Sequence, residues 1–155
     1  MGLHVNVMQA GTYDAGYTLE PNASLMHKMG VARTIETGVI AHYVLGDPNA
    51  NAFAAGCALT NEFITRRPDV AKRFTAAWGK AIAFIHDEPK EAIKYLAKNT
   101  FTPANVVDSV PVIGFMMVKD LSDSNKAEFQ KFINFATQAG LISEKVDVTK
   151  YLKDF

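Results

Sequence analysis

Apolar residues recur at helical spacing through the middle of the chain. Val70, Phe74, Ala77, Trp78, Ala81, Ile82 and Ile85 fall on one face at i, i+4 and i+7 or i+8, with Lys72, Arg73 and Lys80 largely off it. Pro68-Asp69 opens this helix, because proline fits a first turn where its missing N–H is not needed. A shorter helix precedes it, capped by Asn61 and running to about Arg66. Asp87 predicts the cap of the next helix, whose buried stripe is Ala92, Ile93, Leu96 and Ala97, and Thr102-Pro103 repeats the cap-and-first-turn signal. Ser124 or Asn125 begins the last long helix, with Glu128 placed for a capping box on Asn125. Phe129, Phe132, Ile133 and Ala136 form its apolar stripe and Gly140 ends it. Asp147 or Thr149 starts a short terminal helix.

The N-terminal third reads differently. Residues 3–11 predict the end of a helix, with Val5 and Met8 three apart and Gly11 as the stop. Thr12 to Leu19, rich in Thr and Tyr, predicts a strand. Glu20-Pro21 starts a second helix to about Met29, stopped by Gly30, and Val31 to Ile35 is a second short strand. Helix, strand, helix, strand with short connections implies an α/β layer with a largely parallel sheet. Residues 36–53 then lose any period: Gly38, Gly46, Asp47-Pro48-Asn49 and Asn51 are turn formers, and the stretch reads as a boundary or hinge. Phe53 to Thr60 returns to an apolar, strand-like run.

Composition narrows the function classes. At 155 residues, 48% hydrophobic and 21% charged, the chain is long enough for one domain with a core of its own. Sixteen basic residues balance sixteen acidic ones with neither sign concentrated, which argues against nucleic acid as a partner. Val110 to Val118 is too short to span a membrane and contains Pro111. Met1 to Val5 do not open a signal peptide. The single cysteine, Cys57, excludes an intrachain disulfide and a thiolate metal cluster, and its apolar neighbours predict a small core residue. The nucleophile elbow, the phosphate-binding loops and the paired-histidine zinc motif are all missing. His4, His27, His42 and His86 share no ligand spacing, and Asp87, Glu88 and Glu91 read as first-turn acids favoured by the helix dipole. Neither catalysis nor a metal nor a cofactor is expected.

One stretch carries candidate chemistry. Tyr13 to Pro21 joins a predicted strand to a helix N-terminus, where open α/β sheets bind ligands. Free N–H groups there suit an anion, whereas Glu20 at the same place favours an amine or a hydroxyl-rich ligand. Tyr17 offers a flat face and a hydroxyl. Glu20 also has a plainer reading, as a first-turn acid stabilising its own helix.

The run Gly11-Thr12-Tyr13-Asp14-Ala15-Gly16-Tyr17-Thr18-Leu19-Glu20-Pro21 resembles a stretch of the ABC-transporter substrate-binding proteins, in the nitrate, sulfonate, taurine and thiamine-pyrimidine-precursor branch. The resemblance continues in order through Thr60-Asn61-Glu62-Phe63-Ile64, Arg67 to Phe74, Asp87 to Ala92, Phe132 to Phe135 and Ala139 to Ile142. It implies part of a type II periplasmic-binding-protein-like bilobal fold, its helix-rich C-terminal portion. Residues 1–35 would end the second lobe, 36–53 would be the hinge crossing, and 54–155 would belong to the first lobe. The implied ligand contacts are Tyr17 and Glu20, with Asn51 and Asn61 as weaker ones; Asp14 and Pro21 would order the turn. The implied partners are a small polar or anionic ligand and, for the full-length protein, a membrane permease, and the parent protein would be periplasmic or exported. A half-molecule would also associate, as a homo-oligomer or a domain-swapped dimer. Two alternatives stand beside this: the thiamine-pyrimidine synthase of similar fold, whose cysteine-rich signature Cys57 alone does not match, and a truncated oligomerising module without ligand.

Overall fold

The computed structural model describes residues 2–53, 55–100, 102–112 and 114–154. In chain order the α-helices are α1 (Gly2–Gln9), α2 (Asn22–Lys28), α3 (Asn61–Arg66), α4 (Pro68–Asp87), α5 (Pro89–Ala92), α6 (Lys94–Asn99) and α7 (Asp123–Gln138). A π-helix, Ile40–Leu45, lies between α2 and α3, and 3₁₀ turns occupy Val107–Ser109, Val118–Asp120 and Val148–Lys150. Two units divide the chain: Met1–Ile35 with Ala83–Gly114, and Glu36–Ile82 with Phe115–Phe155. No helix among the described residues is long and apolar enough to cross a membrane.

Three helices end by the same device. Gly11, Gly30 and Gly140 have φ of 66°, 67° and 72°, a conformation that costs glycine nothing. At each end the glycine N–H and the next residue's N–H turn back onto the last helical carbonyls, as in Gly11 to Met8 (3.1 Å) and Thr12 to Val7 (3.0 Å). Gly30 with Val31 and Gly140 with Leu141 repeat the pattern. The three stops expected from the sequence stand where they were expected.

In the first unit α1 packs on α2, and each buries one apolar residue, Val5 and Met26. α6 packs on the Val107–Ser109 turn, beside buried Thr102, Val106 and Val107. Ser24 Oγ donates to the carbonyl of Ser109 at 3.1 Å, and Lys28 donates to that of Asn105, so side chains of α2 hold the distant 105–109 segment.

The second unit is organised on α7. The π-helix packs on it and buries Ala41 and Leu45. The Val148–Lys150 turn also packs on α7, where the Gln130 amide donates to Val146 O at 2.7 Å and accepts from Val148 N at 2.9 Å. Phe53 meets Phe129 edge-on with ring centroids 6.1 Å apart. Lys131 donates to Leu45 O at the end of the π-helix, where Gly46 takes a φ of 72°.

The helix-rich character of the C-terminal portion matches expectation, but no strand forms among the described residues. Thr12–Leu19, Val31–Ile35 and the described part of 53–60 run without strand pairing; Ala54 lies outside the described residues. A strand satisfies its peptide groups only against a neighbour, and residues 12–17 lie exposed with no partner strand among the described residues. Several caps fall one to three residues from the expected position. Thr60, not Asn61, caps α3, accepting from Phe63 N at 3.1 Å. Ser122 caps α7 in a capping box whose other member is Asn125, and Asn125 Nδ2 also donates to Glu128 Oε2 at 3.4 Å from within the helix. Asp87 closes α4, and Glu88, which precedes α5, makes no side-chain cap. Asp147 does cap the last turn, accepting from Thr149 N at 3.1 Å.

Two burial expectations also change. On α4 only Ala71 and Ile82 are buried, while Phe74 and Trp78 stand 40% and 42% exposed and stack on each other at 6.1 Å. Among the described residues no element packs extensively along α4, and Phe74, Ala77, Trp78 and Ala81 of its stripe stay exposed. Cys57 is exposed rather than part of the core, because the segment around it lies in no packed element.

Candidate functional site

The connection from α1 to α2 is the stretch where the sequence places its candidate chemistry. It leaves α1 at Gly11 and stays open to solvent: Tyr13 and Tyr17 are 60% and 59% exposed, and Leu19 is also exposed. Its far end is tied down. Thr18 Oγ1 lies 3.0 Å from His4 Nδ1 on α1 and 3.3 Å from Asn22 Nδ2 on α2. The Asn22 amide donates to the Thr18 hydroxyl, which also hydrogen-bonds His4, so three side chains join both helices to the base of the loop. The other amide atom of Asn22, Oδ1, is buried without a partner.

Glu20 precedes a cis peptide bond to Pro21. Its Oε2 accepts from Ser24 N at 3.1 Å. Proline at the cap position offers no side-chain oxygen to α2, so Glu20 supplies the missing acceptor from one residue further back. Glu20 therefore serves its own helix, but from outside the first turn in which it was expected, and the carboxylate remains exposed. Asp14 is exposed with no hydrogen-bond partner among the described residues; the turn is ordered by Gly11 and Thr18 instead.

Tyr17 and Glu20 thus share one connection in the first unit, and Asn51 and Asn61 belong to the second. The backbone N–H of Asn51 donates to Glu128 Oε2 at 3.1 Å, and its side chain is exposed. Asn61 is the first residue of α3 and is also exposed. Among the described residues no group of three His, Cys, Asp or Glu side chains is gathered that could hold a metal ion.

Comparison with family models, with curated proteins and with solved structures finds no match to this chain.

Sequence reasoning missed one constellation. Glu36 accepts from the Tyr43 hydroxyl at 3.0 Å through Oε2 and lies 3.2 Å from His42 Nδ1 through Oε1. The imidazole and phenol rings stack with centroids 4.4 Å apart. The separations of six and seven residues match neither helix nor strand neighbours, so no periodic pattern brings Glu36 to His42. The signal was Gly38, whose φ of 67° turns the chain between them.

Proposed function

We propose that this chain is part of a solute-binding component of an ABC importer, a bilobal α/β protein that captures a small polar or anionic ligand. No bond is made or broken in this role; a cleft closes around the solute. The observation that carries the reading is the α1–α2 connection. It is the segment with the family-like run, and it presents Tyr13 and Tyr17 to solvent from a base fixed by His4, Thr18 and Asn22. An anchored loop with open aromatic faces suits binding, because little order must be gained when the ligand arrives. The other family-like pieces coincide with helix boundaries: Thr60 at the cap of α3, Pro68 at the start of α4, Pro89 at the start of α5 and Gly140 just beyond α7. Glu20 places negative charge where an anion would approach α2, which favours ligands carrying N–H or O–H donors over nitrate.

The test uses the full-length parent protein with taurine, other sulfonates, nitrate and aminopyrimidines, read as shifts in melting temperature. A ligand of this class raises the melting temperature, and Tyr17→Ala weakens its affinity roughly tenfold, or ~1.4 kcal/mol. Absence of a shift with every compound rejects the assignment.

A second reading is favoured by Phe74 and Trp78, stacked and open on a helix stripe patterned for burial. It makes the chain self-associating, as a homo-oligomer or swapped dimer, with the α4 stripe covered in the assembly.

A further inference from the structure

We propose that the second unit carries a binding site of its own for a small zwitterion, a molecule with an anionic and a cationic group on one short aliphatic frame. The unit holds an open cavity of about 470 Å³, inside the range of roughly 300–1,000 Å³ that small-molecule sites occupy. Three segments wall it. The 3₁₀ turn Val118–Asp120 supplies Val118 and Lys119, and the first turn of α7 supplies Asp123 and Lys126. The C-terminal stretch supplies Thr149, Leu152 and Asp154. All three segments belong to that unit. Each wall is held by hydrogen bonds. Leu121 N donates to Val118 O at 3.2 Å, and Ser122 caps α7. Val148 N donates to Gln130 Oε1 at 2.9 Å, and Leu152 N donates to Val148 O at 3.2 Å.

The charges on the walls choose the ligand. Two lysines and two aspartates line the cavity. Lys126 and Asp123 answer each other, with Nζ 3.3 Å from Oδ1. Lys119 and Asp154 do not: neither makes an ion pair among the described residues, with the other or with any third group. One unpaired cation and one unpaired anion thus stand on different walls of the same space. A simple anion gains from Lys119 but is opposed by Asp123 and Asp154, and a simple amine gains from Asp154 but is opposed by both lysines. A ligand carrying both charges gains at each end. Thr149 marks the cationic end. Its hydroxyl donates to Asp147 Oδ1 at 2.6 Å, which leaves its oxygen only to accept, on the same segment as Asp154. Val118 and Leu152 are part-buried and offer apolar cover to a short chain between the two charges. The site makes no use of the connection before α2, so it stands or falls separately from the importer reading.

The test is a residue-resolved titration of the full chain near neutral pH, followed by proton–nitrogen-15 correlation spectra. The probes are glycine, β-alanine and γ-aminobutyrate, zwitterions of increasing span, with propionate and propylamine as single-charge controls. At least one zwitterion is expected to give saturable shifts at the amides of Lys119, Lys126, Thr149 and Leu152. Its affinity should exceed that of either control about two- to fivefold, the gain that one exposed ion pair supplies. Lys119→Met should bring that zwitterion down to the affinity of propylamine, and Asp154→Asn to that of propionate. Both side chains are exposed, so each variant should keep the parent spectrum away from the cavity. Absence of saturable shifts with all three zwitterions overturns the proposal, and that result needs no variant. Equal affinity for the best zwitterion and either control also overturns it, as does an affinity unchanged by either substitution.

Discussion

Tyr43 gives its proton to a carboxylate, and that bond sets its titration. The hydrogen bond to Glu36, then the negative charge of Glu36, then a small loss of solvation raise its pKa above the usual 10.0. The neutral phenol is the form favoured by folding. Its contribution to stability is present below pH 10 and is lost as pH rises through the raised value. Spectrophotometric titration should show the late ionisation of Tyr43, and Glu36→Gln should bring it back toward its ordinary value. Asp147 shows the opposite sign. The Thr149 hydroxyl and then the Thr149 N–H hold its carboxyl below 3.8, with a smaller contribution from the charge of Lys150. Its contribution is present above pH 3.8 and is lost as pH falls through the lowered value. Thr149→Val removes the larger of the two bonds, and an NMR titration should then find Asp147 closer to its ordinary value.

At the scale of elements, what the sequence disclosed and what it hid divide along one line. Glycine stops are local: Gly11, Gly30 and Gly140 each end a helix because only the glycine's own φ and the preceding turn are involved. Gly140→Ala should cost about 1–2 kcal/mol, seen as a lower denaturant midpoint with an unchanged slope. Caps are nearly local. Thr60 and Asn61 are both good cap residues side by side, and only the backbone conformation, extended at Thr60, decides between them. Ser122→Ala at the α7 capping box should cost about 1 kcal/mol by the same measurement, with Ser122→Thr close to neutral. Strands are not local. The Thr- and Tyr-rich stretch 12–19 has the composition of a strand, but a ladder needs a second segment, which composition cannot report. The α4 stripe has the same limit, since periodicity shows which face seeks cover but not what provides it. The candidate loop was legible as a place between two elements, and Glu20 as an acid that serves its own helix, though it does so from before the cap. Its anchor was not, because Thr18 meets His4 across fourteen residues with no repeating pattern between them.

Across the whole molecule, apolar side chains divide unevenly between core and surface. Val106 is fully buried, and Val106→Ala should cost roughly 2 kcal/mol through lost burial and the cavity left behind. Phe74 and Trp78, both larger, remain open. If a second copy covers them, sedimentation velocity should show a species heavier than the 17.0 kDa chain that grows with concentration, and Trp78→Glu should return it to monomer. A well-folded monomer at all concentrations would remove the self-association reading and leave the binding reading intact.

Trp78 is the single tryptophan of the chain. Its indole emission therefore reports one address, the open stripe of α4, with no second fluorophore of its kind to unmix. Any partner that seats on Phe74 and Trp78 must strip water from that ring and move its emission to shorter wavelengths. The protein thus carries its own optical probe for that encounter, without a label and without a variant.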